Sequence, residues 1–318
     1  MPRLYARRGD RYYLVMDATA KIADHRRDRE SGRLVYPVIS RRSGGLSLGV
    51  NLFPDAKRCS FDCPYCEVFL PSATASSAAK GGVPAPRPFD PGELEAELDA
   101  FLDRQYEAGW APEPVRDICL SGNGEPSLSP HLEAALDAIW RAKAGRPGLL
   151  GATELVIITN STGFLAPCAA AVLERAVAEK GLAVWAKLDG ATSEAFRRMS
   201  RSSFELEEIV SGIASFASRS PVVLQTMLCA VGGAEPTEAE AAAYARLVAR
   251  LLSGGARIRA IQLYTQARPS PEGLTAPLSD ERLAGLARLV LRSLRELAGP
   301  EGLPPLRAFG ASGEIGAP

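Results

Sequence analysis

Residues 59–66 read CSFDCPYC and place three cysteines within eight residues, in the spacing C-x3-C-x2-C. The chain's other three cysteines stand alone, at positions 119, 168 and 229. Evenly spread cysteines are typical of a disulfide framework, whereas a tight group of thiols is typical of a metal site. Cys59, Cys63 and Cys66 are therefore predicted to bind one metal centre.

The number of thiols in this motif bears on which metal it binds. A structural zinc site normally has four tetrahedral protein ligands, and the motif supplies three. Both histidines, His25 and His131, lie far from it in sequence. Folding can bring one of them close, so zinc stays an alternative. Three soft thiolates are better suited to a [4Fe–4S] cluster in which one iron has no protein ligand.

Outward from the motif, the chain alternates between short β-rich runs and helical patterns. Each run is largely apolar, as expected for strands of a parallel sheet that helices cover. Six such units in order predict a barrel or an incomplete barrel, with active-site residues in the loops that follow the strands. The predicted strands span residues 46–53, 116–121, 154–160, 183–188, 222–228 and 258–264.

A second motif follows the second predicted strand, where residues 121–126 read SGNGEP. Glycines let a backbone approach a ligand closely, and the carboxylate of Glu125 suits an ammonium group. With Tyr65 as the aromatic residue of C-x3-C-x-aromatic-C, the two motifs resemble the signature of the radical S-adenosylmethionine (SAM) superfamily. The "GGE" loop of that family meets the amino group of SAM. Here Asn123 separates the two glycines, which is a departure from the plain form.

The resemblance implies a partial (β/α)6 TIM-like barrel over residues 44–298, with a [4Fe–4S] cluster on the three cysteines. In this family SAM is cleaved to a 5′-deoxyadenosyl radical that removes hydrogen from a substrate. The residues implied to contact SAM are Tyr65, Gly122, Asn123, Gly124 and Glu125. A narrower resemblance, carried by residues 40–42 and 46–51, is to Fe–S oxidoreductases related to the enzyme that makes the tricyclic wyosine base in tRNA.

Polar residues at the ends of later strands are further candidates for contacts with SAM or substrate. Asn160 and Ser161 end the third strand, where capping of the turn is the alternative role. Lys187 and Asp189 share one face of the fourth strand, so they either reach the site or form a salt bridge at the strand end. Gln225, within the fifth strand, needs a hydrogen-bonding partner, which is SAM, substrate or a neighbouring side chain. No residue is assigned a catalytic role.

Charge is unevenly distributed along the chain, although the formal net charge is zero. Residues 1–42 hold 11 Lys and Arg against 5 Asp and Glu, so residues 1–43 are interpreted as a basic arm or short β element. Such an arm either binds phosphates, which favours an RNA or nucleotide-like substrate, or is a solvated face. Residues 70–88 are expected to be mobile, as a lid or an insertion, and residues 299–318 to form a tail.

The predicted function is that of a radical SAM enzyme of unidentified substrate and reaction class. Its expected partners are SAM and an electron donor such as flavodoxin or ferredoxin. No apolar run reaches the length of a membrane span and the N-terminus lacks a secretory signal, so the protein is expected in the cytoplasm. The alternative is a non-catalytic zinc- or cluster-binding protein that interacts with RNA, which predicts metal binding without SAM binding.

Overall fold

The structure is a computed structural model of the 318-residue chain. It describes residues 5–8, 11–14, 34–54, 56–68, 89–103, 114–311 and 313–316. The first two ranges form an antiparallel pair of strands, β1 (Tyr5–Arg8) and β2 (Arg11–Leu14). The expected basic arm is described only in part, and the expected mobile segment 70–88 lies outside the described residues.

A sheet of nine strands organises the described part of the chain. Its seven inner strands are parallel, and one antiparallel strand lies at each edge. From edge to edge the strands are β3 (Val35–Ser40), β4 (Gly45–Val50), β5 (Val115–Leu120), β6 (Glu154–Thr159), β7 (Ala183–Lys187), β8 (Val222–Met227), β10 (Ile258–Tyr264), β12 (Leu306–Phe309) and β13 (Glu314–Ile315). A separate ribbon pairs β9 (Cys229–Val231) with β11 (Thr275–Pro277).

Helices connect the parallel strands, and polar caps define several of their ends. Asp90 accepts a hydrogen bond from the backbone N–H of Gly92 and precedes a proline at the first helical position. Thr237 and Glu240 form a reciprocal capping box. The helices are α1 (Pro91–Leu102), α2 (Leu132–Ala144), α3 (Pro147–Leu150), α4 (Pro167–Lys180), α5 (Ser193–Ser200), α6 (Leu206–Arg219), α7 (Glu238–Ser253) and α8 (Asp280–Ala298). Among the described helices, none is both long enough and apolar enough to cross a membrane.

The two faces of the sheet pack differently. On the outer face, strand residues such as Leu120 and Ile157 join one large apolar core with the helices. On the inner face, Cys119, Trp185 and Val223 belong to a separate small apolar cluster. Because both faces are covered, the strands are apolar along nearly their whole length, and this is why the sequence pattern identified them.

The turn between β3 and β4 connects the two edges of the sheet. Arg41 donates one hydrogen bond to the backbone carbonyl of Thr265, at 3.0 Å, and another to that of Gly310. Thr265 follows β10 and Gly310 follows β12, so a side chain in the turn beside edge strand β3 binds residues that follow two strands near the opposite edge. Within the described residues, no hydrogen bonds pair β3 with β13, and the sheet is a partial barrel.

The predicted fold class, a partial (β/α)6 barrel, is confirmed. The six predicted strands are present in chain order as β4, β5, β6, β7, β8 and β10. Two regions near the ends of the chain add strands to the sheet. Residues 35–40, which fall in the predicted basic arm or short β element, form edge strand β3, and residues 299–318, expected as a tail, contain β12 and β13. Strand β12 is only four residues long and includes Arg307, so no apolar run marks it in the sequence.

Candidate active site

The loop that carries the three cysteines leaves β4 at the carboxyl end of the barrel. Arg58 lies in a parallel bridge with the Gly122–Glu125 loop: its N–H donates to the Asn123 carbonyl at 2.9 Å, and its carbonyl accepts from the Glu125 N–H at 2.8 Å. The N–H of Asp62 donates to the carbonyl of Ser200, the last residue of α5, at 2.9 Å. Backbone hydrogen bonds therefore hold the loops of the two predicted motifs next to each other.

The three thiols are only partly exposed, and burial disfavours the thiolate form of Cys59 and Cys63. Burial raises the pKa of Cys59 to about 11, against the opposing effects of the Phe61 N–H and of Lys57, and burial also raises the pKa of Cys63. The side-chain amide of Asn160 donates to the sulfur of Cys59 at 3.6 Å. Both thiols therefore stay protonated near neutral pH unless a metal displaces the proton.

The three thiols are soft ligands of the kind that hold an iron–sulfur cluster. Within the described residues, no group of three or more His, Cys, Asp and Glu side chains is placed to hold one metal ion. An N–H donor on a ligand sulfur, as Asn160 provides for Cys59, is a common second-layer feature of iron–sulfur sites.

The glycine-containing loop is shaped by Asn51, which ends the β4 segment. Its side-chain oxygen accepts hydrogen bonds from the N–H groups of Phe53 and Asn123, at 3.2 and 3.1 Å. Gly122 has φ +130°, and a β-carbon there would lie 2.6 Å from that same oxygen. A β-carbon on Gly124 would overlap the carbonyl oxygen of Arg58. Both glycines are therefore required by backbone geometry, whether or not a ligand is bound.

We expect Gly124→Ala to lower both the thermal midpoint and the iron content of the reconstituted protein. The added methyl group must displace the Arg58 carbonyl, which accepts the Glu125 N–H. The measurements are thermal unfolding and iron analysis. Gly148→Ala is the matched control, because a β-carbon on this α3 residue meets no atom within 4 Å. A Gly124→Ala protein with wild-type midpoint and iron content would show that the two loops need no such close contact.

Glu125 is buried, with 2% of its surface exposed, and its carboxylate is surrounded by donors. One oxygen accepts from the N–H and hydroxyl of Ser127, at 3.1 and 2.6 Å, and from the hydroxyl of Thr159 at 2.7 Å. The other accepts from the N–H of Asn160 at 2.6 Å. Burial raises the pKa of Glu125, and these hydrogen bonds oppose the shift. The side chain thus holds together the loops that follow β5 and β6.

Asn160 and Ser161, the predicted polar end of β6, both lie at this junction. The Asn160 amide donates to the hydroxyl of Ser60 at 2.8 Å as well as to the sulfur of Cys59. Ser161 has the left-handed φ of +74°, and its hydroxyl donates to the carbonyl of Lys187 at 3.0 Å. A non-glycine residue in this conformation is held by its surroundings and is found most often at functional sites.

Lys187 and Asp189 form the ion pair that was one of their two predicted roles. The ammonium lies 3.0 Å from the carboxylate and 2.5 Å from the hydroxyl of Tyr264. It also lies 5.0 Å from the ring centre of Tyr65, whose hydroxyl donates to Asp189. The other oxygen of Asp189 accepts from the N–H of Met227 at 2.7 Å. Tyr65 of the cysteine motif is therefore bound directly to the end of β7.

Gln225 has neighbouring side chains as its partners. Its amide nitrogen donates to Gln262 at 2.6 Å, and its oxygen accepts from Arg42 at 3.0 Å. Arg42 belongs to the predicted basic arm, for which phosphate binding and a solvated face were the two expected roles, and in the structure it lies against Gln225, Trp185 and Tyr264. The signal that locates it is the pair of β-rich runs at 35–40 and 45–50 around a turn, which is the pattern of a hairpin.

An apolar pocket opens beside Tyr65 and Tyr264, and its empty space of about 510 Å³ includes open solvent. Met199 and Met227 line it and also pack with these two tyrosines. The ion pair of Arg198 with Glu240, at 2.5 Å, adds charge to a lining that is otherwise mostly apolar. Such a wall suits an apolar or aromatic group.

Two sequence relatives are proteins named only as UPF0026. The UPF0026 protein of Helicobacter pylori is 30% identical over 191 residues, which cover 59% of this chain and 53% of the relative. The UPF0026 protein of Synechocystis sp. is 29% identical over 196 residues, 57% of this chain and 58% of the relative. The chain thus spans about half the length of the curated relatives it matches. No protein-family model matches the chain.

Three solved structures share the fold of this chain. A radical SAM methyltransferase from Sphaerobacter thermophilus superposes with a TM-score of 0.53 at 16% identity, over 84% of this chain and 67% of that one. Streptococcus suis SuiB, bound to S-adenosylmethionine, superposes with a TM-score of 0.52 at 13% identity, over 80% of this chain and 49% of that one. TYW1 with a lysine-pyruvate adduct bound superposes with a TM-score of 0.51 at 15% identity, over 91% of this chain and 85% of that one. The fold that the motif resemblance implies is therefore confirmed.

Proposed function

We propose that this chain is a radical SAM enzyme that holds one [4Fe–4S] cluster through Cys59, Cys63 and Cys66. The observation that carries the proposal is the parallel bridge at Arg58, which holds the cysteine loop against the Gly122–Glu125 loop. Three protein ligands leave one iron for the amino and carboxylate groups of SAM. With SAM bound, the cluster supplies an electron that splits SAM into methionine and a 5′-deoxyadenosyl radical.

The chain's own residues provide the surroundings in which SAM binds. We propose that polar side chains at the ends of the strands contact SAM, and their positions beside the cysteine motif support this. Asn160 lies against a cluster ligand, and Lys187 and Asp189 lie against Tyr65 of the motif. The full set proposed for SAM is Tyr65, Gly122, Asn123, Gly124, Glu125, Asn160, Ser161, Lys187, Asp189 and Gln225.

Within this set, Glu125 is proposed to act as a positioning residue. Its carboxylate already accepts four hydrogen bonds from the protein, including one from the backbone of Asn160. It therefore fixes the Asn160 side chain beside Cys59 and the loop that bridges to Arg58. A direct contact between Glu125 and the amino group of SAM stays a prediction. So does reduction by a flavodoxin or ferredoxin.

The test is anaerobic reconstitution with iron and sulfide, followed by dithionite reduction with SAM and chromatographic assay of 5′-deoxyadenosine. We expect 5′-deoxyadenosine from the wild-type protein and from Cys168→Ser, which removes an exposed thiol outside the motif. A protein that takes up zinc and forms no cluster, or one that holds a cluster but neither binds nor cleaves SAM, would instead favour a non-catalytic metal-binding role.

A further inference from the structure

The turn after β3 brings two arginines into the barrel, and neither has a carboxylate partner there. Arg41 donates to the carbonyls of Thr265 and Gly310, and Arg42 to the side-chain oxygen of Gln225. Within the described residues, neither guanidinium forms an ion pair. Both side chains are partly buried, and a cation that is partly removed from water without an ion pair favours an anionic ligand.

Neighbouring carboxylates do not balance all of the positive charge near Arg41 and Arg42. Lys187 is paired with Asp189, and Arg268 is paired with Glu67. Asp117 acts on Arg42 electrostatically, but one of its oxygens accepts from Ser47, the other has no partner, and burial raises its pKa. Burial and the charges of Arg42 and Arg268 lower the pKa of Arg41, with Glu67 opposing them. The four cations around this space therefore outnumber its three carboxylates, Asp117, Asp189 and Glu67, by one.

Aromatic rings lie beside Arg42, and a buried amide follows the residue that Arg41 contacts. The guanidinium of Arg42 lies 4.5 Å from the ring centre of Tyr264 and 5.8 Å from that of Trp185. Gln266, beside Thr265, is 2% exposed, and neither polar atom of its side chain has a partner. A buried amide without partners is rare in folded proteins and indicates a missing ligand or water.

A chain of contacts connects this space to the cysteine loop. The ammonium of Lys187 lies over the ring of Tyr65 and donates a hydrogen bond to the hydroxyl of Tyr264. The guanidinium of Arg42 lies over the ring of Tyr264. The arginines are therefore connected to the cysteine motif through the side chains of Lys187 and Tyr264. The substrate of an enzyme acting at this loop would extend toward them.

We propose that Arg41 and Arg42 bind an anionic group of the substrate, a phosphate or a carboxylate, inside the barrel. The planar guanidinium fork matches both groups in geometry and charge. Identifying the anion as part of a substrate rests on the proposed function. Anion binding itself requires neither SAM cleavage nor a reductant.

The experiment titrates the reconstituted protein with potassium phosphate and with potassium acetate at constant ionic strength, with chloride as the reference. Binding is measured by calorimetry and by the rise in thermal midpoint. We expect saturable binding of one anion, weakened at least about tenfold in Arg42→Met and less in Arg42→Lys. The stronger of phosphate and acetate identifies the anionic group. Arg259→Met, which removes an exposed arginine of β10, should bind as the wild type does.

Three results would overturn the proposal. One is the absence of saturable binding by either anion. Another is equal loss of binding in Arg259→Met, which would indicate a general effect of surface charge. The last is competition between the anion and SAM together with loss of SAM affinity in Arg42→Met, which would assign Arg42 to the SAM carboxylate. Cluster absorbance and thermal midpoint of each variant show that it is folded, and anion binding without 5′-deoxyadenosine formation would contradict only the proposed function.

Discussion

Replacing any one of Cys59, Cys63 and Cys66 by alanine is expected to abolish stable cluster binding and 5′-deoxyadenosine formation. Only three protein thiolates are available, so each variant leaves two, and the remaining cysteines are not placed to substitute. Cys119 and Cys229 are buried in strands, and burial raises their pKa values. The measurements are iron and sulfide per chain, and the visible absorbance of the anaerobic protein.

Cys168→Ala is the control, because it removes an exposed thiol at the start of α4 and leaves the motif intact. Its iron content should equal that of the wild type. Retention of full iron and sulfide in any of the three motif variants would remove that residue from the ligand set. Uptake of one zinc ion per chain by the wild type, in place of iron, would contradict the proposal that the three cysteines bind a [4Fe–4S] cluster.

The predictable part of the fold is the part with a strong hydrophobic pattern. Strands buried on both faces are apolar along their length, so all six expected strands are found in the sheet. Short strands carry less signal, because β13 has two residues and β12 has four, one of them an arginine.

The sequence predicts which loops form the candidate site, but it does not predict which side chains contact one another there. Because parallel strands end on one side of the sheet, the residues after β4, β5, β6 and β7 were expected to meet, and they do. Which polar groups pair with one another depends on distances that only the tertiary structure sets. The bond of Tyr65 to Asp189 and the insertion of Arg42 between Gln225 and Tyr264 join residues more than a hundred positions apart. No local pattern contains them.

Glu125→Ala is expected to lower stability, cluster content and SAM affinity together. The substitution leaves the N–H groups of Ser127 and Asn160 and the hydroxyl of Thr159 buried without an acceptor. Each such group costs about 1–3 kcal/mol of unfolding free energy, so the total loss is at least about 3 kcal/mol. Glu125→Gln keeps the shape but presents an amide N–H to at least one of these donors, so a smaller loss of the same kind is expected.

The pattern across three measurements separates positioning from direct contact with SAM. If Glu125 positions the loops, unfolding free energy, iron content and SAM affinity fall in the same order, with alanine below glutamine and glutamine below the wild type. If the carboxylate instead bound the SAM ammonium, glutamine would lose SAM affinity while its stability and iron content stayed near wild type. Glu296→Ala, an exposed position near the end of α8, controls for loss of a negative charge. A Glu125→Ala protein with wild-type stability would contradict the positioning role, because four buried donors cannot lose their acceptor without cost.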